Sequence, residues 1–359
     1  MPFEVIEFSD KKKWDKLLKG RADIYYQHGY AASFQSVEEG APQLWMLDMD
    51  GARVFEVVVI RDIAKTPAMV GSLQQGELFD ASTPYGYGGP LTAHVDGKEY
   101  PSRAEGLMGA YTRLVEEHCR QKNILCEFIR FHPLCQNNLL CHPFFPVRYS
   151  RKTVAISLQG KDLWTEEITT ERRRNIRKAI RNNILVQIDP EAQNIAGFYA
   201  IYVKTMQRNN ADDYYYFSFQ FFLDTLLTLK KNALLVAAFY EDKLISGAIF
   251  LIGTDAIHCH ISATDPDYLH LNASSLVLYK AAEWGRDKKL RLLHLGGGHS
   301  EDSEDQLLRF KKSFSKDGFK DFYTGQKIFN PKLYGEAVSL AAKNKNSLDR
   351  DYFPLYRSR

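Results

Sequence analysis

Apolar and polar positions alternate along the chain in a plan that occurs twice. In the first half, QLWMLDMDGARVFEVVVIR places two apolar runs around Asp50-Gly51. An Asp-Gly pair between such runs is a strong signal for a β-hairpin. In the second half, ALLVAAFYEDKLISGAIFLIG repeats this arrangement with YEDK as its turn, and AIHCHISAT follows as a third strand. The pattern predicts an antiparallel meander in each half.

A helix and a further apolar strand follow each hairpin. Helical periodicity runs through SRAEGLMGAYTRLVEEHCRQK and through NASSLVLYKAAEWGRDKK, where Leu276, Tyr279 and Trp284 face the predicted core. The strands after them, NILCEFIRF and LRLLHLGGG, are short and nearly all apolar, which is typical of central positions covered on both faces. Each half is therefore predicted to be a mixed, mostly antiparallel sheet flanked by helices, in the α/β class.

The join between the halves lies in a stretch interrupted by proline. Pro133, Pro143 and Pro146 break regular structure within HPLCQNNLLCHPFFPVRYSRK, and the strand TVAISL then begins the second half. We predict an N-terminal domain over residues 1–150 and a C-terminal domain over residues 151–335. Residues 336–359 are predicted to be a tail or a docking helix.

Composition narrows the class of protein. Of 359 residues, 45% are hydrophobic and 25% are charged, which is ordinary for a globular chain. The net charge of +3 is too small to indicate a DNA-binding coat. Five cysteines without a CxxC pair argue against a disulfide framework and a four-ligand zinc site. The lack of a long apolar run predicts a cytoplasmic protein and leaves a peripheral membrane contact open.

The stretch ERRRNIRKAIRNN predicts a strongly basic helix. No acidic residue interrupts positions 172–181, and like charges on one face repel one another unless an anion binds there. Arginine suits bidentate binding of phosphate or carboxylate. An anionic ligand is therefore favoured over a plain solvated face. The cations of one arc are Arg173, Arg174, Arg177, Lys178 and Arg181, and the opposite side carries Ile176, Ala179 and Ile180. Arg172 falls near the apolar side, which the pattern does not explain.

Two aromatic stretches supply further candidates for substrate binding. STPYGYGGPL contains Tyr85, Tyr87 and Gly88, where glycine permits close backbone approach and tyrosine offers a flat face with a hydroxyl. MQRNNADDYYYFSFQFF contains the candidates Arg208, Tyr215 and Tyr216, followed by a predicted helix N-cap at Ser218. The alternative for both stretches is aromatic packing over the core.

The glycine-rich stretch GGGHSEDSED does not match a phosphate-binding loop. It has neither GxxxxGK[ST] nor GxGxxG, and its acidic run would repel phosphate. The following EDQLLRFKKSF predicts a short helix with an acidic N-terminus that suits the helix dipole. His258 and His260 share one face of a strand, but no ligand partner stands at metal spacing, so no metal is predicted. Cys135 and Cys141 lack an orienting partner for a thiol nucleophile.

Taken together, TPYGYGGPL, FIRFHPL, ERRRNIRKAIRNN, YYYFS and LHLGGG…LLRFKKSF…GQKIFN resemble the Fem-type (FemAB-like) transferases. The resemblance covers nearly the whole chain, from the first hairpin to Asn330. It implies two tandem GNAT-like domains. The best-known members of that family add amino acids from aminoacyl-tRNA to the peptide of peptidoglycan precursors, and other relatives are thought to acylate surface polysaccharides or small metabolites.

The resemblance also implies roles for individual residues. The family's Phe-Lys pair matches Phe310 and Lys311, where the lysine helps to stabilise the charge that develops in acyl transfer and the phenylalanine stacks near the donor. The basic helix is implied to contact a phosphate of the donor or acceptor, through the matching residues Arg173, Arg174, Arg177 and Lys178.

Two features depart from the related patterns. The long helical-hairpin arm of some members has no counterpart here. The stretch DPDYLHLNASS replaces the glycine-rich pyrophosphate loop of common acetyl-CoA enzymes, which favours another activated donor.

The predicted activity is acyl or aminoacyl transfer from an activated donor to an amine acceptor, an EC 2.3-type reaction in cell-wall or surface-polysaccharide biosynthesis. No cofactor is required, and the donor is either aminoacyl-tRNA, with a tRNA contact, or acyl-CoA. Lys311 would add charge next to oxyanion-binding amides. The sequence leaves four residues that could relay the proton, Tyr215, Tyr216, His258 and His260. Of these, Tyr216 and His260 are taken as the catalytic candidates. The amides are those of Ser246-Gly247-Ala248 or Ile261-Ser262-Ala263.

Two other functions stay open at this point. One is an acyl-CoA-dependent N-acyltransferase that acts on a sugar or a small metabolite. The other is a non-catalytic protein that binds RNA or an anionic glycolipid through the basic helix, and it predicts salt-sensitive binding without transfer.

Overall fold

The computed structural model describes residues 3–18, 20, 22–49, 51–94, 101–160, 162–302, 304–345 and 347–358. Asp50 of the first predicted turn lies outside the described residues. The strands are β1 (Phe3–Glu7), β2 (Ala41–Met49), β3 (Ala52–Asp62), β4 (Phe79–Ser82), β5 (Leu91–His94), β6 (Ile124–Arg130), β7 (Val147–Ser157), β8 (Leu185–Asp189), β9 (Ala233–Tyr240), β10 (Lys243–Ile252), β11 (Ala256–Thr264), β12 (Leu292–Gly297) and β13 (Phe319–Ile328).

Helices alternate with these strands along the chain. The α-helices are α1 (Lys11–Leu18), α2 (His28–Phe34), α3 (Pro101–Gln121), α4 (Asn138–Cys141), α5 (Thr170–Arg181), α6 (Ile195–Arg208), α7 (Phe219–Leu229), α8 (Ala273–Asp287), α9 (Gln306–Lys312) and α10 (Pro331–Asn344). None of these described helices combines the length and the apolar character needed to cross a bilayer.

The chain folds into two compact units. Unit 1 comprises Met1–Lys19, Glu38–Ser150 and Phe322–Arg359, and unit 2 comprises Gly20–Val37 and Arg151–Asp321. Both units are discontinuous in sequence. A short N-terminal segment belongs to unit 2, and the end of the chain belongs to unit 1.

Unit 1 contains the first copy of the repeated plan. Its sheet has the order β1-β2-β3-β4-β6-β13, with β5 paired to β3. β2 and β3 form the predicted antiparallel hairpin, and Gly51 in its turn has φ +81°. β4 and β6 are parallel and are connected through α3. The core lies between this sheet and α3, where Trp45, Val58 and Tyr111 are fully buried.

Unit 2 repeats this arrangement. Its strands have the order β7-β12-β11-β10-β9-β8, in which β9, β10 and β11 are antiparallel and β11 and β12 are parallel. Glu241 and Asp242 in the β9–β10 turn both have positive φ, as a tight hairpin turn requires. α8 provides the crossover from β11 to β12. The predicted mixed α/β architecture with a meander and a β-α-β crossover in each half is confirmed.

Helix positions follow the predicted patterns with one correction. α7 begins after Ser218, whose Oγ accepts a hydrogen bond from Phe221 N–H at 3.2 Å, as an N-cap does. Ile176 and Ala179 of α5 are buried as predicted. Ile180 is 52% exposed, so its assignment to the apolar face was wrong. Ile180 lies in the last turn of the helix, which ends at Arg181.

Candidate active site

A small cavity opens in unit 2 where two parallel strands separate. β11 and β12 pair from Ala256–Leu292 to His258–His294, and their pairing then ends. The cavity lies just beyond and has a volume of about 40 Å³. It is lined by Ser246, Gly247 and Ala248 of β10, Cys259 and Ser262 of β11, Leu295 of β12, Ser274, Val277 and Leu278 of α8, and Leu307, Phe310 and Lys311 of α9. Both predicted stretches of strand amides thus contribute to it.

Lys311 is the cation of this cavity. Its Nζ donates a hydrogen bond of 2.6 Å to the carbonyl oxygen of Gly297 at the end of β12. Burial lowers the pKa of Lys311, while Cys259 and Asp305 act in the opposite direction. The predicted Phe-Lys pair therefore lies at one site, since both residues line the cavity.

Cys259 faces Lys311 across the cavity. Burial raises the pKa of its thiol to about 11, although the charge of Lys311 acts to lower it. The thiol is therefore protonated at neutral pH. Cys259 therefore does not supply a thiolate nucleophile at neutral pH.

The three glycines place α9 against the strand end. Gly296 has φ +73°, a conformation that favours glycine. A Cβ on Gly297 would lie 2.9 Å from Lys152 O, and one on Gly298 would lie 2.5 Å from Asp305 Oδ1. Asp305 caps α9 by accepting from Leu308 N–H at 2.8 Å. The acidic stretch thus includes the residue that ties the glycine loop to the start of α9.

The backbone amide of Ser262 in β11 points toward the side of the strand where β12 no longer pairs with it. Asp265 N–H donates to Ile245 O across the ladder, whereas Thr264 N–H donates to Thr205 Oγ1 instead. Alternate residues of a strand direct their amides to the same side. Ser262 N–H therefore points away from β10, as that of Thr264 does, and Ser262 lines the cavity. β10 is paired on both sides, so β11 is the better source of an oxyanion-binding amide.

The predicted histidines lie on the other face of the sheet. His258 Nε2 lies 3.1 Å from Asp23 Oδ1, and its Nδ1 lies 3.4 Å from His294 Nδ1. His260 packs against Tyr30 and Phe34 at centroid distances of 6.2 and 5.6 Å. Burial and the neighbouring His258 lower the pKa of His260 to about 3, so its ring is neutral near pH 7.

The tyrosine and arginine candidates of the YYY stretch are exposed. Tyr215 and Tyr216 stand at a short 3₁₀ turn before α7 and expose 43% and 42% of their surface. Arg208 ends α6 and donates to Asn209 Oδ1 at 3.0 Å. None of these three is among the described residues that line the cavity.

The basic helix presents its cations as the sequence predicted. Arg174, Arg177 and Lys178 are exposed, and Arg173 is partly buried with its Nη1 3.2 Å from Trp164 O. The Arg177 guanidinium lies 5.2 Å from the ring centroid of Trp164. None of these four forms an ion pair with an acidic residue in the part of the chain that the structure describes.

In unit 1 the Tyr-Gly loop occupies the place equivalent to the cavity. β4 and β6 are parallel up to Ser82–Phe128, and the loop then continues beside β6 through a bridge between Gly88 and Phe131. A Cβ on Gly88 would lie 3.0 Å from Thr83 Cγ2. Tyr85 N–H donates to Glu38 at 3.1 Å, and Tyr87 packs on Phe322 at 5.3 Å. The observed contacts of Tyr85, Tyr87 and Gly88 are thus packing and hydrogen bonds within unit 1.

Sequence reasoning missed several residues at the cavity. They are Cys259 and Ser274 of the cavity wall, together with Asp305, which caps α9. One sequence signal for this region was visible, namely that Arg172 departs from the helical pattern. A charged residue on the apolar face of a helix indicates a specific buried contact.

The family comparison agrees with this geometry. Residues 170–312, which contain α5, the meander, α8 and α9, match the GNAT acetyltransferase domain family. No curated protein gives a significant sequence match.

The fold as a whole is similar to that of FemX, at a TM-score of 0.67 and 11% identity, covering 93% of this chain and 99% of that one. It is also similar to the C-terminal domain of a putative lysylphosphatidylglycerol synthetase from Agrobacterium fabrum, at 0.55 and 11%, covering 93% and 96%. L-PGS from Bacillus licheniformis gives 0.54 and 10%, covering 95% and 96%.

These findings agree with the resemblance that the motifs suggested: residues 170–312 match the GNAT acetyltransferase domain family, and the fold of the chain is similar to that of FemX.

Proposed function

We propose that unit 2 transfers an acyl group from an activated donor to an amine, with the reacting carbonyl held between Ser262 N–H and Lys311. One observation carries this proposal: a partly desolvated ammonium group and an outward-pointing strand amide meet at the same small cavity. A polarised acyl carbonyl needs donors of this kind, placed before the reaction begins. The GNAT match and the FemX-like fold support an acyltransferase.

The reaction would proceed by direct attack. The amine nitrogen forms a bond to the acyl carbon, and the carbonyl oxygen takes up the negative charge. Ser262 N–H and the Lys311 ammonium stabilise that oxygen. Collapse of the tetrahedral species breaks the bond to the donor, and the proton that the amine gives up neutralises the departing thiolate or alkoxide. Positioning and electrostatics supply most of the rate enhancement in such a reaction.

For the donor, an aminoacyl ester such as aminoacyl-tRNA is favoured over acyl-CoA. The residues between β11 and α8 form a 3₁₀ helix, Pro266–Leu271, where an acetyl-CoA enzyme has its glycine-rich loop. The acceptor is proposed to be an amine in cell-wall or surface-polysaccharide biosynthesis, in the cytoplasm. The phosphates of the donor or acceptor would contact the exposed cations of α5.

Substitution of Lys311 tests the catalytic assignment. Lys311→Met keeps the length of the side chain and removes its charge, and we expect turnover to fall by about 100-fold or more, as for loss of one oxyanion donor. Lys312→Met is the matched control, because Lys312 lies on the same helix and donates to the backbone carbonyls of Ser315 and Lys316. Unaltered turnover in a folded Lys311→Met protein would rule out the assignment.

Thermal unfolding in the presence of candidate donors separates the two donor classes. A ligand that binds the folded protein raises its stability by about 2.7 kcal/mol at 100 times its Kd. We expect a non-hydrolysable aminoacyl-tRNA analogue to raise the Tm and CoA to leave it unchanged. A shift with CoA alone would favour acyl-CoA as the donor.

A further inference from the structure

Arg172 is the exception on the basic helix. Its neighbours Arg173 and Arg174 are partly or fully exposed, whereas Arg172 is only 6% exposed. No described carboxylate lies within ion-pair distance of it, and the adjacent Glu171 is exposed. A buried arginine stays charged, because its ordinary pKa is above 12. Burial of a charge without a counter-charge costs free energy of folding, so the buried guanidinium of Arg172 calls for a specific role.

The guanidinium group joins three helices of unit 2. Its Nε donates to Ser313 Oγ, which caps α9, and its Nη1 donates to Ser275 Oγ in the first turn of α8, both at 2.8 Å. Its flat face lies 4.4 Å from the ring centroid of Phe310 and 5.0 Å from that of Phe314. Only a planar cation with forked donors makes both kinds of contact at once.

These contacts lie directly behind the wall of the cavity. Ser274 lines the cavity and is adjacent in sequence to Ser275, whose hydroxyl accepts from Arg172. Phe310 also lines the cavity, and the Arg172 guanidinium stacks on its ring. Lys311 follows Phe310 in α9, which has only seven residues. A helix so short has little stability of its own, so tertiary contacts determine where it lies.

We propose that Arg172 is a positioning residue, which holds α9 so that Phe310 and Lys311 face the cavity. This inference rests on the proposed role of Lys311. Arg172 acts through α9 and not by contact with the reacting atoms. Loss of the guanidinium hydrogen bonds of Arg172 releases α9. Because Lys311 lies on α9, its ammonium then moves away from Cys259 and Ser262.

Cys259 serves as a native reporter that requires no substrate. The charge of Lys311 favours the thiolate of Cys259, so removal of that charge slows thiol modification. The rate would be followed with methyl methanethiosulfonate between pH 8 and pH 10, and mass spectrometry of the Cys259 peptide separates this thiol from the other four. We expect Lys311→Met to slow modification about tenfold at a given pH, which corresponds to a shift of one pKa unit.

Arg172→Met is expected to displace the pH profile of Cys259 in the same direction as Lys311→Met. The double variant should match Lys311→Met alone, because two changes that act through one group are not additive. Arg309→Met is the control, since Arg309 lies on α9 but is exposed and pairs with Glu304. It should keep the profile of the unaltered protein.

Two outcomes overturn the proposal. One is an unchanged profile in Arg172→Met. The other is an additive effect in the double variant, which would mean that Arg172 acts on Cys259 directly. If Arg172→Met does not fold, Arg172→Lys is the deciding variant, because it keeps the positive charge and loses the paired guanidinium hydrogen bonds. A displaced pH profile of Cys259 in Arg172→Lys supports the proposal, and an unaltered profile refutes it. The proposed function is judged separately, by turnover of Lys311→Met.

Discussion

Lys311 and Lys312 are adjacent in sequence but lie in different environments. Lys311 lines the cavity and its ammonium donates to Gly297 O, whereas the ammonium of Lys312 donates to the carbonyls of the loop after α9. The family resemblance pointed to Phe310 and Lys311 within RFKKSF, and both residues line the cavity. The partners of each lysine depend on where α9 lies, and the sequence does not carry that information.

A pair of buried carboxyl groups in unit 1 creates a pH dependence of stability. Glu56 and Glu127 are both fully buried, and Glu56 Oε2 accepts from the Tyr111 hydroxyl at 2.9 Å. Burial raises the pKa of Glu127 to about 7, and burial together with the neighbouring Glu127 raises the pKa of Glu56 well above its ordinary value. At least one of the two carboxyls is therefore protonated in the folded protein at neutral pH.

The sign of the effect follows from proton binding. Between pH 4.5 and pH 7 the folded protein keeps a proton on Glu127 that the unfolded chain releases, so the free energy of unfolding falls as the pH rises. We expect Glu127 to contribute a loss of up to about 3 kcal/mol over this range, and Glu127→Gln should remove that contribution. Urea unfolding at pH 5 and pH 8 measures the difference. Glu117→Gln, an exposed change on α3, is the control, and an equal slope in both variants would contradict the prediction.

At the scale of the element, α5 shows how far helical periodicity can be taken. The periodicity correctly assigned Ile176 and Ala179 to the core and the arginines to the exposed face, but Ile180 lies at the solvent-exposed end. Arg172 occupies a position that periodicity assigns to the core, and a stack of phenyl rings with two serine hydroxyls accommodates it. Those partners lie more than 100 residues away in sequence, so the pattern on the helix could not predict them.

The exposed cations of α5 give a prediction for the helix as a whole. Arg174 and Lys178 are four residues apart, and such like-charged pairs destabilise a helix by about 0.2–0.5 kcal/mol. We expect Arg174→Gln with Lys178→Gln to raise the free energy of unfolding slightly and to weaken binding to a polyanion. Elution from a heparin column measures the second effect, and the double variant should elute at lower salt.

The matched control for this prediction is Arg113→Gln, which removes an exposed cation from α3 of unit 1. It should leave the elution position close to that of the unaltered protein. Equal displacement by the control would show that net charge alone governs retention, and the proposed phosphate contact of α5 would then lose its support.

At the scale of the whole molecule, the end of the chain is part of the core of unit 1. Tyr356 is fully buried and donates to Asp80 Oδ2 at 3.0 Å. Asp80 is also fully buried and pairs with Arg61 Nε at 2.7 Å and Arg357 Nε at 2.5 Å. The segment that follows α10 thus completes a buried ion-pair network in unit 1.

Removal of one cation from this network should destabilise unit 1. Arg357→Met leaves the Asp80 carboxylate buried with Arg61 as its remaining cationic partner, and we expect a loss of about 2–4 kcal/mol in the free energy of unfolding. Urea unfolding measures the loss. Arg350→Met, at an exposed position in the same segment, should change the stability by less than about 0.5 kcal/mol. A stable Arg357→Met protein would show that the network contributes little.

The sequence alone determined the repeated plan of this protein, and its family resemblance implied the Phe310-Lys311 pair that lines the cavity. Hairpin turns, apolar strands and helical periodicity are local signals, because neighbouring residues decide which backbone conformation is favourable. Only the tertiary structure decided that β11 and β12 separate after His258, that His260 faces away from the resulting cavity, and that Arg172 supports α9 from behind. These features depend on contacts between residues distant in sequence, since burial and charge are set by what packs around a side chain and not by its neighbours in the chain.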